Sequence, residues 1–252
     1  ASILCKKLAA GVNGLVLDVK CGTGSFMKTM DEARELARTM VAVGTGANCR
    51  VEALVTNMNL PLGRNVGNAL EVQEAVRTLR GEGPTDLLEI TLSLANRMLT
   101  MAGKGRDDDE RRDVLFEALS SGRAFERFLR MVELQGGDPD CVDSRDGLPS
   151  SPIVDVLASD ESGYLSSVDA EKVGRVAFLL GSGRARREDE IDFSVGLSDL
   201  RQVGALVEKG EPLAKIHANS SEGVLEARQL LESAFQFSDC SPNEAPLILD
   251  MI

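Results

Sequence analysis

One stretch constrains the fold of this chain more than any other. Gly14–Lys20 is a short, continuous apolar run rich in β-branched residues, and Cys21-Gly22-Thr23-Gly24-Ser25 interrupts it. From Asp31 to about Val43 the apolar positions Ala33, Leu36, Ala37, Met40 and Val41 return with helical spacing, and Arg50–Thr56 is apolar and β-branched again. The first and last segments read as buried strands and the middle one as an amphipathic helix capped by Asp31. Strand, glycine loop, helix and strand make a βαβ unit. Its crossover is right-handed, so the two strands are predicted to lie parallel in one sheet.

The remainder divides into a helical stretch and a mixed one. Ser2–Ala10 reads as a helix stopped by Gly11 and Asn13-Gly14. After a loop at Asn57–Val66, Asn68 is expected to cap a helix over Ala69–Arg80, and Gly81-Glu82-Gly83-Pro84 ends it. Further helices are expected from Thr85 or Asp86 to about Ala102, over Asp109–Ser120 and over Arg123–Gln135. The charged run Arg106–Arg112 reads as a solvated helix start. Gly136-Gly137-Asp138-Pro139 and Asp146-Gly147-Leu148-Pro149-Ser150-Ser151-Pro152 form a linker. Beyond it, strands at Ile153–Ala158, Tyr164–Val168 and Gly210–Ala218, with helices at Ala170–Leu180 and Glu222–Phe235, make a small α+β domain. The predicted fold class is α/β: a helix over 1–13, a parallel-sheet α/β domain over 14–145 and a small α+β domain over 146–252.

Composition narrows the function classes. Of 252 residues 43% are hydrophobic and 27% charged, an ordinary globular balance, and the net charge of −12 disfavours a nucleic-acid or acidic-membrane surface. No apolar run approaches the roughly 20 residues of a membrane span. The scattered cysteines (Cys5, Cys21, Cys49, Cys141, Cys240) contain no CxxC pair and read as reduced thiols filling small core sites. With His217 the sole histidine, a Ser-His-Asp triad or a His-rich metal site is disfavoured, and a structural role is expected for it.

Few residues carry chemistry on spacing alone, and no catalytic acid, base or nucleophile emerges. Ser2 and Lys6 stand one helical turn apart and could offer a hydroxyl and an ammonium side by side, but on spacing alone an ordinary helix surface with a solvated lysine is the favoured reading. Gly22-Thr23-Gly24 occupies the place of an anion-binding loop, yet lacks a third glycine and a following acidic residue, so a tight turn is the favoured reading. Arg184, Arg186 and Arg187 alternate with Glu188, Asp189 and Glu190 and read as a self-paired loop.

Three blocks together carry a resemblance: Ser2-Ile3-Leu4-Cys5-Lys6-Lys7, Asp18-Val19-Lys20-Cys21-Gly22-Thr23-Gly24-Ser25-Phe26, and Met58–Arg64 with Gly67-Asn68-Ala69-Leu70-Glu71-Val72. Leu180-Gly181-Ser182-Gly183-Arg184 and Phe237-Ser238-Asp239 extend it. The chain resembles the thymidine phosphorylase / pyrimidine-nucleoside phosphorylase family over essentially its whole length. The resemblance implies that residues 1–13 belong to the family's helical, base-binding and dimerisation domain. It likewise implies that 14–145 are the later part of its α/β glycosyltransferase domain. Residues 146–252 would be its C-terminal α+β domain, in which Gly204–Leu213 is similar to a hammerhead strand pair.

The implied reaction is reversible phosphorolysis of a pyrimidine nucleoside (thymidine, deoxyuridine or uridine) to free base and a pentose 1-phosphate. Inorganic phosphate is the co-substrate and no cofactor is required. By resemblance, Ser2 and Lys6 hold the pyrimidine edge, and the Lys6 charge stabilises the departing base. Leu62 and Asn65, through main-chain carbonyls, and Glu74 would supply part of the ligand set of a structural potassium ion, whose remaining ligands have no counterpart here. A cytoplasmic homodimer closing across a cleft is implied. The family's base-binding arginine and phosphate loop have no counterpart here, so the chain reads as a fragment inactive by itself. A non-catalytic interaction module, a dinucleotide enzyme using Gly22–Gly24 and a nucleoside-monophosphate phosphorylase remain as rival readings.

Overall fold

A computed structural model describes residues 2–144, 147–184, 186–243 and 245–252, with the Ser2 side chain outside that description. The linker residue Asp146 and the predicted domain border at 145/146 also lie outside the described residues. The chain forms two compact units. The first comprises 1–59, 86–118 and 245–252; the second comprises 60–85 and 119–244.

In the first unit β1 (Gly14–Cys21) and β2 (Arg50–Asn57) pair in parallel from Gly14↔Arg50 to Cys21↔Asn57, with α2 (Met30–Gly46) between them in sequence. Side chains alternate along a strand, so Leu17, Val19, Cys21, Val51, Ala53 and Val55 share one face. That face packs on Ala33 and Ala37 of α2. The helix start differs from expectation: the N-cap is Thr29, whose hydroxyl accepts from Glu32 N, and Glu32 accepts from Thr29 N in a capping box. These bonds, led by the Thr29 amide, hold the Glu32 carboxyl below the usual carboxylate range.

The sheet is mixed rather than purely parallel. A strand absent from the sequence reading, which we number β9 in chain order (Ile248–Met251), adds antiparallel to β2. Arg34 Nε on α2 donates to Asp250 Oδ2 at 2.6 Å and pins this strand. Its four-residue apolar signal is too short to declare itself without a partner. The helix α1 (Ser2–Ala9) buries Leu4 and leans Leu8 on the same core. Helix α4 (Thr85–Met101) and α5 (Asp108–Ser120) follow, and Arg97 on α4 pairs with Glu52 of β2 at 2.7 Å. Arg111 corrects the solvated reading of its charged run. It is buried, and its guanidinium donates to Asn96 Oδ1, Gly105 O and Asp108.

The second unit holds α3 (Asn68–Leu79), α6 (Arg123–Leu134) and α7 (Pro139–Asp143). Its two small sheets run β3 (Ile153–Ala158), β7 (Pro212–Ala218), β5 (Gly196–Ser198), and β6 (Leu206–Val207), β4 (Gly163–Val168), β8 (Phe235–Ser238). All their pairings are antiparallel. Leu157, Leu165, Leu197 and Ile216 from the sheets meet Val173, Val176, Ala227 and Leu231 from α8 (Ala170–Ala177) and α9 (Ser221–Glu232) in one core. Three expectations shift here. Gly67, not Asn68, caps α3; a π-turn at Phe178–Ser182 succeeds α8; and Phe235, expected in a helix, starts β8.

His217 lies on β7, half-buried, with Nε2 2.9 Å from Ser198 Oγ, which is the structural role expected of it. Burial pushes its pKa below 6.5, with Asp199 opposing and Lys215 assisting the shift. A histidine that resists protonation in the fold withholds stability when protonated in the unfolded chain. Stability should therefore fall as pH drops below about 6.5 through the depressed folded value. The lone imidazole proton signal gives the folded pKa directly in an NMR titration, and a value at or above 6.5 would contradict this account. A second outcome concerns Gly44 of α2. Replacing a helical glycine with alanine ordinarily stabilises by ~1 kcal/mol. Here a Cβ would overlap Val51 Cγ2, a stiff buried side chain, so Gly44→Ala should destabilise by about 1–3 kcal/mol in urea unfolding.

Candidate active site

The carboxyl ends of parallel strands are where open α/β sheets place ligands. In the first unit those ends run into the glycine loop, and its amides can be followed one by one. Gly22 N donates to Met27 O at 3.0 Å, Gly24 N to Met58 O at 2.8 Å and Ser25 N to Gly22 O at 3.1 Å. Thr23 N donates to Asn59 Oδ1 at 3.0 Å. An anion cradle needs free amides, so this loop is the tight turn that the sequence favoured. The dinucleotide reading loses its phosphate-binding element. Gly22 has φ +134, and a Cβ there would come within 2.6 Å of Asn59 N, which makes glycine obligatory at this crossing.

The wired turn presents Phe26, which is 97% exposed. A phenyl ring held outward by a rigid loop at the strand ends is an apolar platform suited to a flat ring. The only sequence signal for it was an aromatic residue inside an otherwise small-residue loop. Behind the turn, on the sheet face opposite α2, Lys20 Nζ is shut from solvent 2.7 Å from Asp18 Oδ2, and Thr56 Oγ1 donates to Asp18 Oδ1. This network ties the last residues of β1 to β2. Sequence reasoning took Asp18 and Lys20 as part of a motif and gave them no role.

Lys6 is exposed on α1, one turn after Ser2, whose side chain lies outside the described residues. Lys6 and Lys7 sit in the last turn of α1, where the helix dipole favours cations.

Asn65 and Glu74 line one recess of the second unit, between the 60–67 loop, which also carries Leu62, and α3. Glu74 is 5% exposed and Asn65 7%. Glu74 Oε1 accepts from Arg64 N at 2.8 Å, which folds the carboxylate back on the loop. Gly63 has φ +78, and a Cβ on it would occupy the place of Glu74 Oε2. Asn65 Nδ2 donates to Leu70 O at 2.9 Å. Among the described residues the Leu62 and Asn65 carbonyls accept no hydrogen bond. A buried carboxylate and carbonyls that accept no bond are oxygen donors of the kind a hard cation takes. Arg64 adds positive charge nearby, its guanidinium donating to Gly63 O at 2.6 Å. Arg77 lines the same recess of about 370 Å³, where Glu74, Glu82 and Asp199 face the two arginines.

The arginine cluster behaves as a solvated loop: Arg186 and Arg187 are exposed, and Arg186 N donates to Asp189 Oδ2 at 2.7 Å. Cys21 and Cys49 fill core sites as expected, whereas Cys5, Cys141 and Cys240 are exposed. No helix among the described residues is long and apolar enough to cross a membrane.

Comparison with known proteins places these features in a family. Residues 1–125 match the family described as "Glycosyl transferase family, a/b domain", and residues 164–238 match "Pyrimidine nucleoside phosphorylase C-terminal domain". A pyrimidine-nucleoside phosphorylase of Bacillus subtilis (strain 168) is 45% identical over 219 residues, covering 87% of this chain and 51% of that protein. One of Staphylococcus aureus (strain USA300) is 40% identical over 239 residues, covering 95% of this chain and 55% of that protein. The chain spans about half the length of the curated relatives it matches. With two family matches in succession and this identity carried across both, the chain belongs to the pyrimidine-nucleoside phosphorylase family.

Proposed function

We propose that this chain is part of a pentosyltransferase that cleaves pyrimidine nucleosides with inorganic phosphate. The observation that carries the reading is the 40–45% identity to pyrimidine-nucleoside phosphorylases, together with a family match over residues 1–125 that spans Lys6, the glycine turn and Glu74. Phosphate attacks C1′ of the sugar as the bond to the base nitrogen breaks, and the electron pair leaves with the base. Lys6 supplies a fixed ammonium at the pyrimidine edge where that negative charge collects, worth more in the transition state than in the bound substrate. Ser2 adds a hydroxyl to the same edge. Phe26 gives the ring a face to lie on and excludes water from it.

Phosphate itself is held by residues outside this chain, since the turn amides of Gly22–Ser25 are already bonded to protein acceptors. Thymidine, deoxyuridine and uridine are the substrate class, and the working unit is a homodimer of longer chains. The C-terminal α+β fold, with its short antiparallel strand pairs, serves as a hammerhead-like buttress with no carrier role. A potassium ion at Leu62 O, Asn65 O and the Glu74 carboxylate has a structural part: it cross-links the loop to α3 and takes no part in bond breaking.

Tested with thymidine and phosphate, the 252-residue chain alone should release no thymine by chromatography. In a polypeptide of the relatives' full length that includes these residues, Lys6→Met should lower kcat by about 10²–10³-fold. Phe26→Ala should raise KM for the nucleoside and leave KM for phosphate unchanged. Thymine release by the 252-residue chain would overturn its inactivity alone, and full activity of Lys6→Met would overturn the role given to Lys6.

A further inference from the structure

We propose that strand β5 and the left-handed residue Asp199 are positioning elements of the Leu62–Asn65–Glu74 corner, so that the C-terminal fold and cation binding form one thermodynamic unit. The proposal rests on the cation reading given above.

The 60–67 loop has no regular structure of its own, so its shape is set by what binds it. Val66 N donates to Leu197 O at 2.9 Å and Leu197 N to Val66 O at 2.7 Å, a bridge onto the outer edge of β5. Leu200 N donates to Arg64 O at 3.0 Å, and Asp199 N to Asn65 Oδ1 at 3.4 Å. At the loop's far end Ala69 N donates to Phe193 O at 3.1 Å and Asn68 Nδ2 to Ser182 O at 3.0 Å. Residues 182–200 thus consume the Arg64 and Val66 carbonyls and fix the Asn65 carboxamide. What they leave without a bond is the pair of carbonyls, Leu62 and Asn65, that the cation needs.

The fit is too close for side chains. Gly67 has φ +141, and a Cβ on it would lie 2.5 Å from Val195 O and 3.0 Å from Gly196 Cα. Gly196 has φ +146, and its Cβ would lie 3.0 Å from Gly67 Cα and overlap Val66 O. Asp199 has φ +54, a strained value for a non-glycine residue, and it is held there from both ends. Its amide is on Asn65, and its carboxylate is 2.8 Å from Lys215 Nζ. Asp199 also lines the recess that Asn65 and Glu74 line. Strain that the surroundings over-determine marks a residue whose geometry serves something else, and here the neighbour served is the donor corner.

Outer residues that orient metal ligands change metal affinity by 10–100-fold when altered. A ligand that binds only the folded state raises stability by mass action. The experiment is thermal unfolding of a polypeptide of the relatives' full length that includes these residues, titrated with KCl against choline chloride at constant ionic strength. The wild-type chain should show a potassium-specific rise in Tm. In Gly196→Ala the potassium concentration at half-effect should increase at least about tenfold, with far-UV circular dichroism reporting retention of the fold. Should that variant not fold, Asn65→Leu removes the acceptor for Asp199 N without adding a backbone clash, and the same increase is expected. Wild-type half-effect concentrations in the folded variants would overturn the positioning role and leave the cation reading standing. The absence of a potassium-specific rise in the wild-type chain would remove the cation reading and this proposal with it.

Discussion

Everything in the first unit hangs on the parallel pairing of β1 with β2. The register from Gly14↔Arg50 to Cys21↔Asn57 decides which side chains face α2 and which face away. A one-residue slip would turn Leu17, Val19 and Cys21 out of the core and bring Asp18 and Lys20 into it. The register also sets the height at which the glycine turn leaves the sheet. Asn59 can take the Thr23 amide only because Met58 follows β2 directly and its own amide bonds Cys21 O. Phe26 is exposed as a consequence of that chain of bonds, not of local flexibility.

The second unit depends on a different contact, backbone against backbone at Gly67 and Gly196. Two glycines with positive φ let the 60–67 loop lie on β5 as though it were a further strand. A loop that would otherwise sample many shapes is held by a strand whose own place is fixed by Leu197 and Ile216 in the core. Glu74 and Asn65 are both buried and both hydrogen-bonded, as buried polar groups must be. Glu74 accepts from the Arg64 amide and Asn65 donates to the Leu70 carbonyl of α3, so both polar side chains close on backbone groups.

Taken together, the units divide the chemistry. The first presents an ammonium on α1 and an aromatic ring on a wired turn. The second presents oxygen donors in a recess. The chain spans about half the length of these relatives. The turn's committed amides also separate this fold from dinucleotide binders with a similar strand–loop–helix order, a distinction that a glycine pattern cannot make.

How much was legible in the residues varies with the range of the interactions. The βαβ unit, the long helices and β3 follow from local periodicity, because apolar spacing and glycine breaks act within a few residues. Family membership was equally legible, since ordered blocks of residues carry it. Strands β5, β8 and β9 were not, being three or four residues long and stabilised only by distant partners. The N-cap at Thr29 and the burial of Arg111 escaped for a similar reason: competing polar residues stood nearby, and the winner was chosen by packing. Sequence by itself determined the α/β class, the crossover, the family and the residue types at Lys6 and Glu74. Only the tertiary structure decided that the glycine turn has no free amides, that Phe26 faces solvent and that residues 182–200 shape the Glu74 corner. Each of those is settled by hydrogen bonds and close approaches between segments far apart in the chain, which no local pattern records.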